Sequence, residues 1–503
     1  MKTSWTTSRD RLFPMNSTFV QLIRNTSAGF YSFINQQCRN HKTVLTCALL
    51  LCCVIIGGGY RSQILLSDFQ YAKEAVGQNF SMASVYFTNP GLFSPDEFSD
   101  TRTDPETYIY QRGGNPKYLY DTPNSSEIGW ALILRLILPD SVRGVENVAK
   151  HVARWQFIAD LSVVILLFLS GLRIAGLLGA FMAGISYAIF KMPMEMSSDI
   201  GYYYWTIPFS ALSIFFFSCI YRKDLLTTRA KKYFAFFLYG IIIGFAAFVR
   251  LYFVFLPIFI SPLLLLYERS FKKCILLLLV IALGQSLFIV PEMLYNKINF
   301  GKFAFSTRGK WHLFLQGVGL YKNPWGIPDS GEVNLNIWAM AQGAPNIRTD
   351  LEGAEKWYRG KYFQMVKERP DIFISHFLSN FAAGLTVSDT NFEFLGLIER
   401  DSPAHLLIKI VFPYLVIATL LLSFCFWKEA FWPFAFAVGQ GIYLLVSVVT
   451  WFGNYPNFIA AYIPVFIFIL ALSIAIAIKT TWAALMTLIY FRRDTKSEGL
   501  NAG

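Results

Sequence analysis

The chain has 503 residues, of which 54% are hydrophobic, 17% aromatic and only 15% charged. Soluble proteins carry about 25% charged residues, so the composition excludes a soluble enzyme as well as the collagen-like, disordered and disulfide-scaffold classes. In a soluble protein a net charge of +12 would suggest nucleic-acid binding. In a membrane protein, basic residues also gather in the cytoplasmic segments, so their positions along the chain must be examined first. We therefore predict an integral membrane protein.

Cysteine and histidine usage gives no sign of a metal or redox centre. Cys38 lies in the N-terminal tail and the other six cysteines lie in apolar runs, so no structural disulfide is predicted. No CxxC pair, HExxH motif or histidine cluster has metal-ligand spacing, and no glycine-rich loop is suited to nucleotide phosphates. We predict no cofactor and no metal, and a carboxylate-bound cation at Asp68 and Asp199 stays open as an alternative.

Ten segments are long and apolar enough to cross a bilayer as helices, because a span needs about 20 apolar residues. Two of them are short or ambiguous, so a count of nine to eleven stays open. The fold prediction is an all-α polytopic membrane protein with two large extracytoplasmic loops that contain interfacial helices. The predicted spans are 43–60, 155–172, 174–190, 202–220, 233–250, 251–267, 274–295, 406–427, 431–450 and 457–479.

Basic residues place both termini in the cytoplasm, because Lys and Arg gather in the segments that this orientation puts inside. The positive charge is then an orientation signal, and nucleic acid is not predicted as a partner. We predict a cytoplasmic tail at 1–42 and a catalytic bundle at 43–295, with the first outer loop at 61–154. A second outer loop follows at 296–405, the last spans at 406–479 and a second cytoplasmic tail at 480–503.

Charged residues of the apolar segments are predicted at the outer surface rather than at the bilayer centre. Arg250 follows Lys232 by 18 residues, or about 27 Å of helix, which places it near the outer interface. Glu292 falls at a similar level after Lys273, and Glu195 and Asp199 lie in a short outer link. A phosphate headgroup sits at this depth, so the pattern suits chemistry on a lipid-borne substrate.

The stretch after the first span resembles the GT-C glycosyltransferases, membrane enzymes that use polyprenyl-phosphate sugars. Residues 67–77 read SDFQYAKEAVG, which is similar to that family's spacing of Asp, Tyr, Ala and Gly. Residues 124–138 occupy the place of the family's interfacial helix. Residues 248–252 (FVRLY), 305–310 (FSTRGK) and 355–370 resemble later family features. The chain departs from bacterial relatives at 454–457 (NYPN), where those often carry an arginine-rich motif.

The resemblance implies an inverting transferase with its active site on the extracytoplasmic face, where the two large outer loops cover the ends of the bundle. Asp68 would be the catalytic base, and Arg250 with Arg308 and Lys310 would hold the leaving phosphate. The donor would be a polyprenyl-phosphate sugar, hexosyl or pentosyl, and the acceptor a cell-envelope glycan or lipid. The implied location is the bacterial inner membrane.

Each candidate residue also has an ordinary structural interpretation. Asp104 and Glu106 would bind acceptor or replace Asp68 as base, but Asp-Pro is equally a turn signal. Arg250 would also serve as an interfacial anchor, and His312, next to the Arg308 and Lys310 pair, would also face lipid headgroups. Asp199 would line the acceptor site.

The alternative function is a transporter or flippase of lipid-linked saccharides. It predicts charges around a central cavity and an internal repeat, and the sequence shows neither clearly.

Overall fold

The computed structural model shows a bundle of long helices. The residues that it describes are 42–67, 125–139, 141–142, 145–198, 204–220, 228–300, 303–305, 311–328, 331–346, 350–387, 393–394, 398–399, 401–449 and 459–500.

Nearly all of the described residues are helical. The helices are α1 (Lys42–Ser67), α2 (Ser125–Ile137), α3 (Val145–Ala188), α4 (Lys191–Ser198), α5 (Thr206–Ile220), α6 (Arg229–Val249), α7 (Leu256–Glu268), α8 (Phe271–Phe300), α9 (Trp311–Gly319), α10 (Gly331–Ala341), α11 (Leu351–Glu368), α12 (Pro370–Leu385), α13 (Pro403–Cys425), α14 (Lys428–Val449) and α15 (Ile463–Leu500). Two 3₁₀ turns, Leu251–Phe253 and Ala460–Tyr462, precede α7 and α15.

Eight described helices are long and apolar enough to cross a membrane. The prediction of an all-α, polytopic membrane protein is therefore confirmed. A ninth apolar helix, α5, has 15 residues and is shorter than an ordinary span. The predicted total of about ten stays a prediction.

The longest span, α3, is a helical hairpin rather than one rod. Gly176 has φ 71° and ψ −158°, which breaks the helix. A Cβ atom on Gly171 would collide with the carbonyl of Gly179, so the two arms meet there. Farther from the turn, the Tyr187 hydroxyl lies 2.5 Å from Asp160. The arms are therefore antiparallel and correspond to the predicted spans 155–172 and 174–190.

Several helix boundaries differ from the sequence prediction, and at two of them the helix continues past a charged residue. Helix α1 continues past residue 60 to Ser67, so Arg61 lies in the helix and not in the first outer loop. The last helix continues past 479, and its apolar span reaches Ile489. The first helix continues through Arg61 because tertiary packing supports it there, and the last helix continues through Lys479 because the sequence after it stays apolar.

Helices α6 and α8 pack closely along their length. Cβ atoms on Gly240 and Gly284 would collide with the backbone of the opposite helix. Small residues let helix backbones approach within a membrane, where dispersion contacts stabilise the pair. Nearer the end of α6, the rings of Phe248 and Phe288 lie 6.0 Å apart.

The segment between α8 and α13 contains a small folded unit. Leu315, Leu335, Tyr358 and Met365 are among the buried residues that join α9, α10 and α11 in one apolar cluster. Helix α12 then begins at Pro370. The Tyr462 hydroxyl donates to the Leu385 carbonyl at 2.9 Å, which ties the end of α12 to the start of α15.

The described strands form one short antiparallel pair. β1 (Glu393–Phe394) pairs with β2 (Ile398–Glu399). Phe394 also forms a bridge with Phe190, which follows α3, and their rings lie 4.6 Å apart. This contact fastens the chain before α13 to the end of the α3 hairpin.

Candidate functional site

Four charged side chains are buried in or between the described spanning helices. They are Arg61, Asp160, Arg250 and Glu292. Contacts described below place all four toward one end of the bundle, which we call the outer end from the predicted orientation. Intramembrane charges are costly, so each needs a structural or functional account.

Arg61 and Asp160 form a fully buried ion pair between α1 and the first arm of α3. The Arg61 guanidinium also donates to the carbonyls of Gly57 at 3.1 Å and Ala188 at 2.9 Å. The second oxygen of Asp160 accepts from the Tyr187 hydroxyl at 2.5 Å. Both carboxylate oxygens therefore have protein donors, so this pair joins three helical segments rather than offering a site for a ligand.

Aromatic residues connect this pair to the end of α6. The Tyr204 hydroxyl donates to the Gln156 carbonyl, one turn before Asp160, at 2.9 Å. The rings of Tyr204 and Trp205 lie 6.2 Å apart, and those of Trp205 and Trp130 lie 6.4 Å apart. Trp130 of α2 shares an apolar cluster with Val249, the last residue of α6.

Arg250 lies where the chain leaves α6. Its φ of −152° and ψ of 124° are extended, and the 3₁₀ turn follows at once. The side chain is 8% exposed, and its guanidinium donates to the Tyr252 hydroxyl at 2.9 Å. Helix α2 covers this end, because a Cβ atom on Gly129 would collide with the Phe248 carbonyl. Arg250 is thus a buried cation covered by α2, and a guanidinium is a side chain that can bind a phosphate through charge-assisted hydrogen bonds.

Glu292 lies on the face of α8 that packs on α6. Gln285 contacts Gly244, and Phe288 contacts Phe248, so Glu292 continues the same helical stripe one turn farther. The residue is 2% exposed. No described residue donates a hydrogen bond to either of its carboxylate oxygens. Glu292 therefore carries a desolvation cost that the described protein does not offset.

Replacing Glu292 by leucine is expected to stabilise the fold. The change removes an unpartnered buried acid, whose cost is about 1–3 kcal/mol or more. We expect a higher midpoint of thermal unfolding in detergent, while the matched Glu292→Gln variant, which keeps a buried polar group, gains much less. A lower midpoint for the leucine variant would mean that the carboxylate has a stabilising partner, contrary to this account.

His312 has a carboxylate partner in the folded unit of the second outer segment. Its Nδ1 lies 2.6 Å from Glu355, and the second oxygen of Glu355 accepts from the Trp311 amide at 2.8 Å. One acid therefore caps the first turn of α9 and orients the imidazole. Sequence reasoning selected His312 but not Glu355.

A surface ion-pair network joins the link after α3 to the strand pair. Lys191 lies 2.8 Å from Glu393 and 3.4 Å from Glu195. The hydrogen bond to Glu393 raises the pKa of Lys191 above its ordinary, already basic value. Glu195 was predicted in an outer link and lies in α4.

The other six predicted site residues lie outside the described part of the chain. These are Asp68, Asp104, Glu106, Asp199, Arg308 and Lys310. Asp68 directly follows Ser67, the last residue of α1, in sequence. Their roles stay predictions.

Within the described ranges, no group of three or more His, Cys, Asp or Glu side chains is arranged to hold a metal ion. The prediction that the chain uses no metal or cofactor stays a prediction.

Sequence reasoning missed the Arg61 and Asp160 pair. Asp160 stands inside a predicted span, and an acid in such a place implies a cationic partner. Arg61 was assigned to the outer loop, so the partner was not sought in α1. The sequence feature that could have revealed the pair was Asp160, an acid inside an apolar span.

Comparisons with solved structures find archaeal oligosaccharyltransferases. The sequence matches no protein-family model and no curated protein. It is similar to the Archaeoglobus fulgidus oligosaccharyltransferase in complex with Zn and sulfate, with 14% identity, a TM-score of 0.41, and coverage of 88% of this chain and 51% of that one. It is also similar to AglB from Archaeoglobus fulgidus in complex with an inhibitory peptide and a dolichol-phosphate, with 13% identity, a TM-score of 0.41, and coverage of 88% and 54%. The chain spans about half the length of these proteins.

Proposed function

We propose that this chain is an inverting glycosyltransferase that moves a sugar from a polyprenyl-phosphate donor to a cell-envelope glycan or lipid. The observation that carries the proposal is Arg250, a buried cation under α2 at the end of the bundle that the predicted orientation assigns to headgroup depth. Glu292 on the adjacent helix adds an acid without a described donor. The sequence resemblance supplies the reaction class.

The proposed reaction forms a bond between the acceptor oxygen and the anomeric carbon and breaks the bond from that carbon to the phosphate oxygen. Asp68 takes the acceptor proton, and the polyprenyl phosphate leaves as an anion. Arg250, with Arg308 and Lys310, stabilises the charge that grows on the phosphate. A phosphate leaves readily as an anion, so no general acid is required.

The remaining predicted residues would bind substrate. Asp104, Glu106 and Asp199 would accept hydrogen bonds from sugar hydroxyls, since carboxylates are strong acceptors. His312, oriented by Glu355, would add a donor or acceptor from the second outer segment. We place the enzyme in the bacterial inner membrane with both termini cytoplasmic.

Deleting the gene tests the function in cells. We expect mass spectrometry to show accumulation of a polyprenyl-phosphate sugar and loss of the sugar from surface glycans. The accumulated sugar should be oxidised by periodate that does not cross the membrane, because transfer fails on the outer face. A protected pool would instead indicate a flippase, and unchanged pools and glycans would contradict both functions.

Substituting Arg250 tests the phosphate contact. Arg250→Gln is expected to lower kcat/KM about 100-fold, because one charged donor to the leaving group is lost. Arg250→Lys should recover part of this loss. The control is Tyr252→Phe, which removes the hydroxyl that Arg250 contacts and keeps the charge. Equal losses for Tyr252→Phe and Arg250→Gln would indicate a structural role for Arg250.

A further inference from the structure

A cavity of about 520 Å³ lies at the outer end of α2 and α3. Its lining comes from the last turn of α2 and the chain after it, Arg135–Pro139, and from His151 and Trp155 in the first turns of α3. This volume lies within the range of roughly 300–1,000 Å³ that is typical of small-molecule sites.

The cavity is separate from the Arg250 site. Gly129 of α2 contacts the end of α6, whereas Leu136 of the same helix lines the cavity. The seven residues between them correspond to about 10 Å along a helix. A ligand in the cavity would therefore lie away from the end of α6 that leads to Arg250.

The charge around the cavity is positive. Residues 135–155 contain four Lys and Arg residues and one His against two acids. Arg135 and His151 line the cavity itself, and Arg154 is exposed beside it. The side chains of the two acids, Asp140 and Glu146, and of one of the four basic residues, Arg143, lie outside the described part of the chain. An anionic group is the ligand that this balance favours.

Apolar side chains continue from the cavity along the spanning helix. Trp155 and Ile158 are 43% and 52% exposed, and their spacing puts them on one face of α3. Leu132 and Leu136 are exposed on α2 at a spacing of four residues. The candidate span begins at Lys150, so we assign the basic side chains to headgroup depth and the apolar ones to acyl-chain depth.

We propose that this cavity binds the headgroup of an anionic phospholipid, with the phosphate on Arg135 and His151 and one acyl chain along Trp155 and Ile158. A free phosphate ion would use the basic residues and leave the apolar face without a partner. The lipid contacts both α2 and α3 and so stabilises α2 over the end of α6, where Arg250 lies. The lipid site itself does not depend on the proposed reaction.

Native mass spectrometry of the full chain from nanodiscs tests this site. The nanodiscs contain either phosphatidylcholine alone or a mixture with phosphatidylglycerol. We expect wild type to retain phosphatidylglycerol, and the Arg135→Gln/His151→Gln variant to retain about tenfold less, because two polar contacts to the anion are lost. The matched control is Arg269→Gln/Lys272→Gln, which changes basic residues at the turn between α7 and α8 and should bind as wild type does.

Further measurements test the apolar contact, binding of phosphate alone and the folding of the double variant. Trp155→Ala should weaken retention of the lipid, and added inorganic phosphate should not displace it. Thermal unfolding in phosphatidylcholine alone should give the same midpoint for the double variant and wild type, which shows that the variant folds. Equal retention of phosphatidylglycerol by wild type and the double variant, or displacement by inorganic phosphate, would overturn the proposal.

Discussion

Asp160→Ala is expected to destabilise the protein by about 3–5 kcal/mol, because it leaves the Arg61 guanidinium buried without its counter-ion. The pair is fully buried, and the Tyr187 hydroxyl would lose its acceptor as well. Thermal unfolding in detergent, followed by tryptophan fluorescence, measures the change. The expected result is a large fall in the midpoint.

Two matched variants separate the ion pair from other effects of substitution. Arg61→Met/Asp160→Leu removes both charges and should recover much of the loss, since apolar side chains fit the same buried space. Asp371→Ala breaks the exposed pair with Arg369 and should not shift the midpoint measurably. If Asp160→Ala unfolds at the same temperature as wild type, the pair does not hold α1 against α3.

Asp68→Asn is expected to reduce transfer about 100- to 10,000-fold, because asparagine keeps the size of the side chain but cannot take the acceptor proton. The loss should be in kcat rather than in KM, since the base acts in the transition state. The measurement is the initial rate of sugar transfer in proteoliposomes.

The control for Asp68 is Glu74→Gln, a neutralised acid in the same sequence motif to which no role is assigned. Its rate should stay close to that of wild type. Asp104→Asn and Glu106→Gln identify the alternative base. If one of them loses as much kcat as Asp68→Asn was expected to lose, while Asp68→Asn stays active, the assignment of the base is wrong.

The positions of most spanning helices were predictable because the length of each apolar run can be counted from the sequence. The turn within α3 was also predictable, since Arg173 divides two apolar runs close to Gly176. The extents of α1 and α15 were not predictable, because whether a helix continues past Arg61 or Lys479 depends on its neighbours. The helix continues through Arg61 because the guanidinium pairs with Asp160 and donates hydrogen bonds to two backbone carbonyls at the end of α3.

In the candidate site, the level of a single residue along its helix was predictable, whereas contacts between residues distant in sequence were not. Arg250 and Glu292 were placed at one level by counting residues from the basic ends of their helices. Arg250 directly follows α6, and Phe288, one turn before Glu292, packs on Phe248 at the same end of α6, which agrees with that count. The partner of His312 was not predictable, because Glu355 is 43 residues away and meets it only when α9 packs on α11.

The central claim is tested most directly by reconstituting the purified chain in liposomes with a lipid extract from cells that lack it. Such an extract supplies both the unused donor and the unused acceptor. The account predicts time-dependent formation of a glycosylated acceptor with inverted anomeric configuration and release of one polyprenyl phosphate for each sugar transferred. Movement of the lipid-linked sugar across the bilayer without any release of polyprenyl phosphate would contradict it.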